Sequence, residues 1–159
     1  MKTVSRLPPF IILHLSFSIF FDHIRQTRYT IDMKKIIVKP AAGAPPVGPY
    51  NQAVRAGDLL FCAGQIPVVP ATGQIIGHDV RAQTERVLEN IKIILQDQKL
   101  DFGNVVKTTV FLTDLADFTV MNEVYARYFT ADFPARSTVQ VAALPRGARV
   151  EIEVIACYD

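Results

Sequence analysis

Residues 33–159 predict an α+β domain made of one sheet and two helices, and three observations carry that prediction. Two segments repeat their apolar side chains at helical spacing: 79–99 through Val87, Leu88, Ile91, Ile94 and Leu95, and 117–128 through Met121, Val124, Tyr125 and Tyr128. Two others, Val105–Thr113 and Arg149–Cys157, alternate apolar and polar side chains and are rich in β-branched residues, as half-buried strands are. The third is Gly57-Asp58, a turn signal between two short apolar runs, which reads as a hairpin.

Taken in order, Lys35–Val38 is a short first strand. Residues 39–50 follow with four prolines and two glycines, a composition that suits neither a helix nor a central strand. An ordered loop of that stiffness is suited to the rim of a ligand site. Gln52–Arg55 and Leu59–Ala63 form the hairpin, and the second arm runs into Gly64-Gln65-Ile66-Pro67. A glycine there marks either a close backbone approach or a bend before proline. Pro70–Gly73 is a further turn. Asp79 is placed to cap a helix reaching about Lys99, with Arg86, Glu89, Lys92 and Gln96 on its solvated face, and Asp117 is placed to cap the second helix. Ser137–Ala142 and Arg149–Cys157 close the domain, joined by a hairpin-like turn at Leu144–Ala148. The order is β-ββ-α-β-α-ββ. Two helices cover one face of a sheet, so the other face needs a partner, and self-association is the simplest one.

Half of the 159 residues are hydrophobic and a fifth are charged, the balance of an ordinary globular chain. The net charge of +2 lies entirely in residues 1–32, where Lys2, Arg6, Arg25 and Arg28 outnumber Asp22 and Asp32. A neutral body has no long-range attraction for a phosphate backbone, so nucleic acid is not an expected partner. Cys62 and Cys157 lie far apart without metal-ligand spacing and read as ordinary thiols of a reducing compartment, here the cytoplasm. Residues 1–32 contain the apolar run Phe10–Phe21, which is too short to span a bilayer, so stable membrane insertion is not expected. It lacks a small-residue cleavage site, and Met33 begins a natural first strand. The extension is thus a translation start set too early, a targeting segment that would direct the protein to an organelle, or a membrane-proximal tail.

No phosphate-binding glycine loop, zinc-protease motif or nucleophile elbow occurs. His78 is isolated and reads as a surface residue. Arg136 follows Pro134 and opens an otherwise uncharged strand, so it is either a sheet-end arginine paired with a nearby acid or a planar clamp for a carboxylate. Glu151 and Glu153 alternate with Val150, Ile152 and Val154 and share one sheet face, either a solvated edge or a place to activate water.

The stretches Gly48-Pro49-Tyr50, Cys62-Ala63-Gly64-Gln65-Ile66-Pro67, Val106–Leu112, Phe133-Pro134-Ala135-Arg136-Ser137 and Leu144–Glu153 together resemble the RidA (YjgF) family, in order, over the whole of 33–159. The resemblance implies a chorismate-mutase-like (bacillus-type) α+β fold, one mixed sheet with two helices packed on one face. It also implies a homotrimer with ligand clefts between subunits. The implied activity is that of a 2-iminobutanoate/2-iminopropanoate deaminase, a hydrolase that turns reactive imino and enamine acids into 2-oxo acids and ammonia without a cofactor or metal. By the same resemblance Arg136 binds the substrate carboxylate and Glu151 handles the water, while Tyr50, Gly64 and Asn122 shape the site. Many relatives carry cysteine where this chain has Thr138, so a thiol has no role at that position here, while Thr138 keeps its place among the substrate-binding residues through its backbone. The competing expectation is a member that binds ligand without catalysis, acts as a chaperone, or cleaves RNA.

Overall fold

A computed structural model describes residues 34–158; the expectations for 1–32 lie outside them. Eight strands and two helices follow one another as β1 (Lys35–Val38), β2 (Ala53–Ala56), β3 (Leu59–Gln65), β4 (Val68–Val69), β5 (Gln74–Ile75), α1 (Val80–Asp97), β6 (Val105–Leu112), α2 (Phe118–Tyr128), β7 (Ala135–Gln140) and β8 (Val150–Cys157). Six of the strands form one sheet in the order β1-β2-β3-β8-β6-β7. All neighbours in it are antiparallel except β6 and β7, which makes the sheet mixed.

The β6–α2–β7 crossover explains that exception, because a helix between two adjacent strands returns the chain in the same direction. The strand order corrects the expected terminal hairpin. Leu144–Ala148 is a tight turn, but β8 leaves it to pair with β6 and β3, while β7 stays at the edge. A central position suits β8, since Val150, Ile152, Val154 and Ala156 are all fully buried against the helices.

The helical stripe of α1 is buried as expected, with Val87, Leu88, Ile91, Ile94 and Leu95 at the centre of the core. Truncating Leu88 or Ile91 to alanine at such a site costs about 2–5 kcal/mol. Asp79 caps α1, its carboxylate accepting from the Ala82 N–H at 2.9 Å. The helix stops at Asp97, with Lys99 at φ 60, two residues short of the expected end. Its outer face is less open than expected, since Arg86, Glu89 and Lys92 are half-buried. Asp117 makes no cap hydrogen bond to α2. Its carboxylate turns instead to Arg149, accepting from Nε at 3.1 Å and Nη2 at 2.8 Å. The turn at Pro70–Gly73 is the tip of the small β4–β5 hairpin.

Both helices lie against one sheet face. The opposite face carries Ile37, Leu59, Phe61 and Val139, all exposed; Phe61, on the third of six strands, is 42% accessible. Apolar side chains gathered on one open sheet face give a partner a surface to cover.

Candidate active site

The proline-rich loop 39–50 is held by its own hydrogen bonds. Buried Gln52 donates from Nε2 to the Ala44 carbonyl at 2.7 Å, the Gly43 N–H reaches the Pro40 carbonyl at 3.1 Å, and the Tyr50 N–H reaches the Gly48 carbonyl at 2.8 Å. The Val47 N–H in turn donates to the Tyr50 hydroxyl at 3.3 Å. Prolines restrict the unfolded loop and these bonds fix the folded one, so Tyr50 is presented on a stiff wall.

Facing that wall, β3 and β8 slip out of register between Cys62 and Gln65, where three steps along β3 oppose two along β8. The result is a bulge at Ala63-Gly64, a device that re-aims a strand locally. Gly64 is required there by space. A Cβ built on it would fall onto the Glu151 carboxylate, 2.8 Å from the carboxyl carbon and 3.1 Å from Cγ. Glu151 therefore lies over the glycine, and with Tyr50, Val47, Ala63, Ile66 and Pro145 it lines a cleft of about 290 Å³.

The start of β8 is pinned, which fixes Glu151 two residues on. The Arg149 N–H donates to Gln83 Oε1 at 2.8 Å, and its guanidinium bridges Asp117 and the His78 carbonyl. Burial holds the Glu151 carboxyl above the usual carboxylate range, and the neighbouring Glu153 charge adds to the effect. The folded protein thus binds the Glu151 proton more tightly than the unfolded chain. Between the ordinary and the raised pKa, stability falls as pH rises, and above the raised value the cost is complete. Glu151→Gln should therefore raise the melting temperature at neutral pH, with the gain vanishing below about pH 4, where both states are protonated. Thermal melts of the two proteins between pH 3.5 and 8 measure this.

Arg136 lies elsewhere. In the parallel register of β6 and β7 it pairs with Thr108, whose side chain is buried on the helix-covered face, whereas Glu151 pairs with Phe111 and points to the other face. The Arg136 guanidinium stands over the Tyr125 ring at 4.6 Å from its centroid and 5.7 Å from that of Phe118, contacts that hold a flat cation in place. The Tyr125 hydroxyl is tied to Thr108 Oγ1 at 3.0 Å. Asn122, half-buried, falls between Phe118 and Tyr125 at helical spacing. Thr138 pairs with Val110, and its Oγ1 is buried with no hydrogen-bond partner among the described residues. A buried hydroxyl without a partner is open to one from outside the chain.

The six residues singled out in the sequence thus fall into two groups. Tyr50, Gly64 and Glu151 share one cleft, while Arg136, Asn122 and Thr138 sit along β7 and α2. A single chain does not bring the two groups together. Sequence reasoning missed the Asp117–Arg149 pair, because an aspartate before a helix reads first as a cap. It also missed Arg146, which lines a second cavity beside Tyr50. The signal for it was the Pro145-Arg146-Gly147 turn, but its direction is set by a backbone angle that composition does not reveal.

A family profile described as "Endoribonuclease L-PSP" matches residues 41–158. The chain is 45% identical over 152 residues to "Reactive Intermediate Deaminase A, chloroplastic" of Arabidopsis thaliana, covering 96% of this chain and 74% of that protein. It is 43% identical to the human "2-iminobutanoate/2-iminopropanoate deaminase", covering 76% and 88% respectively. Among solved structures, E. coli TdcF with bound serine superposes with a TM-score of 0.75 at 44% identity, over 78% of this chain and 99% of that one.

Proposed function

The chain belongs to the endoribonuclease L-PSP family, which includes the RidA/YjgF proteins, and from that premise we propose that it hydrolyses 2-imino acids and their enamine tautomers to 2-oxo acids and ammonia. The observation that carries this reading is 43–45% identity, over most of the chain, to one relative named a 2-iminobutanoate/2-iminopropanoate deaminase and another named a reactive intermediate deaminase. The chemistry suits the residues. An imine carbon is already electrophilic, so the protein has only to hold the substrate and deliver water to it.

In the proposed mechanism Arg136 holds the substrate carboxylate by two parallel hydrogen bonds. Glu151 takes one proton of the water as its oxygen adds to the protonated imine carbon, and returns that proton to the nitrogen of the carbinolamine; the C–N bond then breaks as the carbonyl forms, and the hydroxyl proton leaves with the ammonia as ammonium. A carboxyl held above its ordinary range is better matched to taking and returning a proton near neutral pH. Gly64 makes room for Glu151, Tyr50 walls the cleft, and Asn122 and Thr138 line the arginine side.

A homotrimer completes the site, with the Arg136 group of one subunit meeting the Glu151 cleft of the next. Two observations support this: the separation of the groups within one chain, and the open apolar sheet face around Phe61. The domain is read as cytoplasmic. Residues 1–32 would direct it to an organelle if they are a leader, and the Arabidopsis relative aligned over 96% of the chain is named chloroplastic. The N-terminal mass of native protein decides between a start at Met33 and a processed leader.

The family description names an endoribonuclease, so the test sets the two activities side by side. Threonine dehydratase releasing 2-iminobutanoate should yield 2-oxobutanoate faster when the protein is added. Cleavage of RNA by the same preparation with no acceleration of imine clearance would overturn the proposal.

A further inference from the structure

Beside the Glu151 cleft, and sharing Val47, Tyr50, Gly64 and Ile66 with it, lies a second cavity of about 160 Å³. Its walls are apolar (Pro45, Pro46, Val68) apart from Gln52 and Gln65, whose side-chain amides are engaged by the carbonyls of Ala44 and Ala63. The floor is clamped from α1, where Asn90 Nδ2 donates to the carbonyls of Ile66 at 3.2 Å and Val68 at 2.9 Å. Both sides of the cavity are therefore fixed before any ligand arrives. One charged side chain lines it, Arg146.

Arg146 is held in an unusual way. It sits at φ 59, ψ 21 and is followed by Gly147 at φ 73, so two successive residues occupy the left-handed region. For a residue with a side chain that region is sparsely populated, and strain of this kind concentrates at ligand sites. Arg146 is exposed and has no hydrogen-bond or ion-pair partner among the described residues. A guanidinium without a partner, beside a stiff apolar cavity that opens onto the reacting carboxylate, is suited to a short aliphatic chain ending in an anion.

We infer that this cavity receives the substrate side chain, and that Arg146 makes 2-imino acids with a second, distal carboxylate a substrate class of this protein. The inference rests on the deaminase reading for its chemistry, but its test does not depend on turnover. Arg136 is reserved for the carboxylate next to the imine. The second carboxylate lies at the far end of the chain, where the cavity places Arg146. Hydrolysis is unchanged, with water supplying the oxygen and ammonia leaving, and the product is a 2-oxo diacid.

The products are stable, so binding can be measured directly by calorimetry with 2-oxoglutarate and 2-oxohexanoate, which have similar length and differ in the terminal charge. The wild-type protein should prefer 2-oxoglutarate. Arg146→Gly should lower that preference roughly tenfold, the scale of one charge-assisted hydrogen bond, and Arg146→Lys should retain part of it. Glycine accepts the left-handed conformation freely, so the variant should melt no lower than wild type. An unchanged ratio of the two affinities in a folded Arg146→Gly protein would overturn the inference, as would wild-type preference for 2-oxohexanoate. Failure of 2-iminobutanoate clearance in the dehydratase assay would overturn the deaminase reading separately, whatever the calorimetry gives.

Discussion

Arg136→Ala should nearly abolish imine clearance while leaving the fold and assembly in place. Removing one partner of a desolvated, hydrogen-bonded charge pair costs about 2–5 kcal/mol. That corresponds to a loss in kcat/KM of roughly 30-fold to several thousand-fold. The structural loss is smaller, because the guanidinium contributes a contact over the Tyr125 ring worth about 0.5–2 kcal/mol. Activity should therefore collapse while the melting temperature moves by a few degrees. Arg136→Lys should fall between the two, since lysine keeps the charge but loses the planar fork. The dehydratase-coupled assay and sedimentation of the same samples measure both halves. Surviving activity in a well-folded Arg136→Ala protein would remove Arg136 from the mechanism.

Gly64→Ala should be almost as damaging, for a steric reason. The added methyl occupies the place of the Glu151 carboxylate, and the atoms it meets belong to a side-chain end that can swing away, so the sheet survives and the carboxylate moves. A displacement of about 1 Å in a reacting group costs on the order of a hundredfold in rate. The effect should be mediated by Glu151. Adding Gly64→Ala to Glu151→Ala should then make activity little worse than Glu151→Ala alone, the non-additivity expected of groups in contact. Rate constants for the two single variants and the double variant test this. Fully additive losses would mean that Gly64 acts on something other than Glu151.

These two residues also show what the sequence could and could not convey. Periodicity was enough to find both helices, the stripe through Leu88 and Ile91, and the alternation of β8, because burial imposes those spacings directly. It did not give the position of β8 between β3 and β6, since a tight turn at Leu144–Ala148 looks the same whether the following strand pairs with its predecessor or passes it. The strand order decides it: β8 is inserted between β3 and β6, where its buried face is covered by the helices. Gly64 was visible as a glycine after a strand, but its purpose depends on a bulge and on a side chain 87 residues further along, at Glu151. Residue patterns left Arg136 undecided between a local ion pair and a ligand clamp. The structure gives it aromatic neighbours and no acid within ion-pair distance among the described residues. Arg146 escaped notice because its backbone angle, not its identity, aims it at the cavity.

In the proposed trimer a working site combines Arg136 of one subunit with Glu151 of another. Co-expressing Arg136→Ala and Glu151→Gln chains under separate tags and purifying the mixed assemblies tests it most directly. Each variant alone should be nearly inactive. Every mixed ring of three subunits, whichever variant is in excess, pairs an intact Arg136 with an intact Glu151 at one of its three interfaces, so about a third of wild-type imine clearance should return. Mixed trimers as inactive as their parents would contradict the shared site.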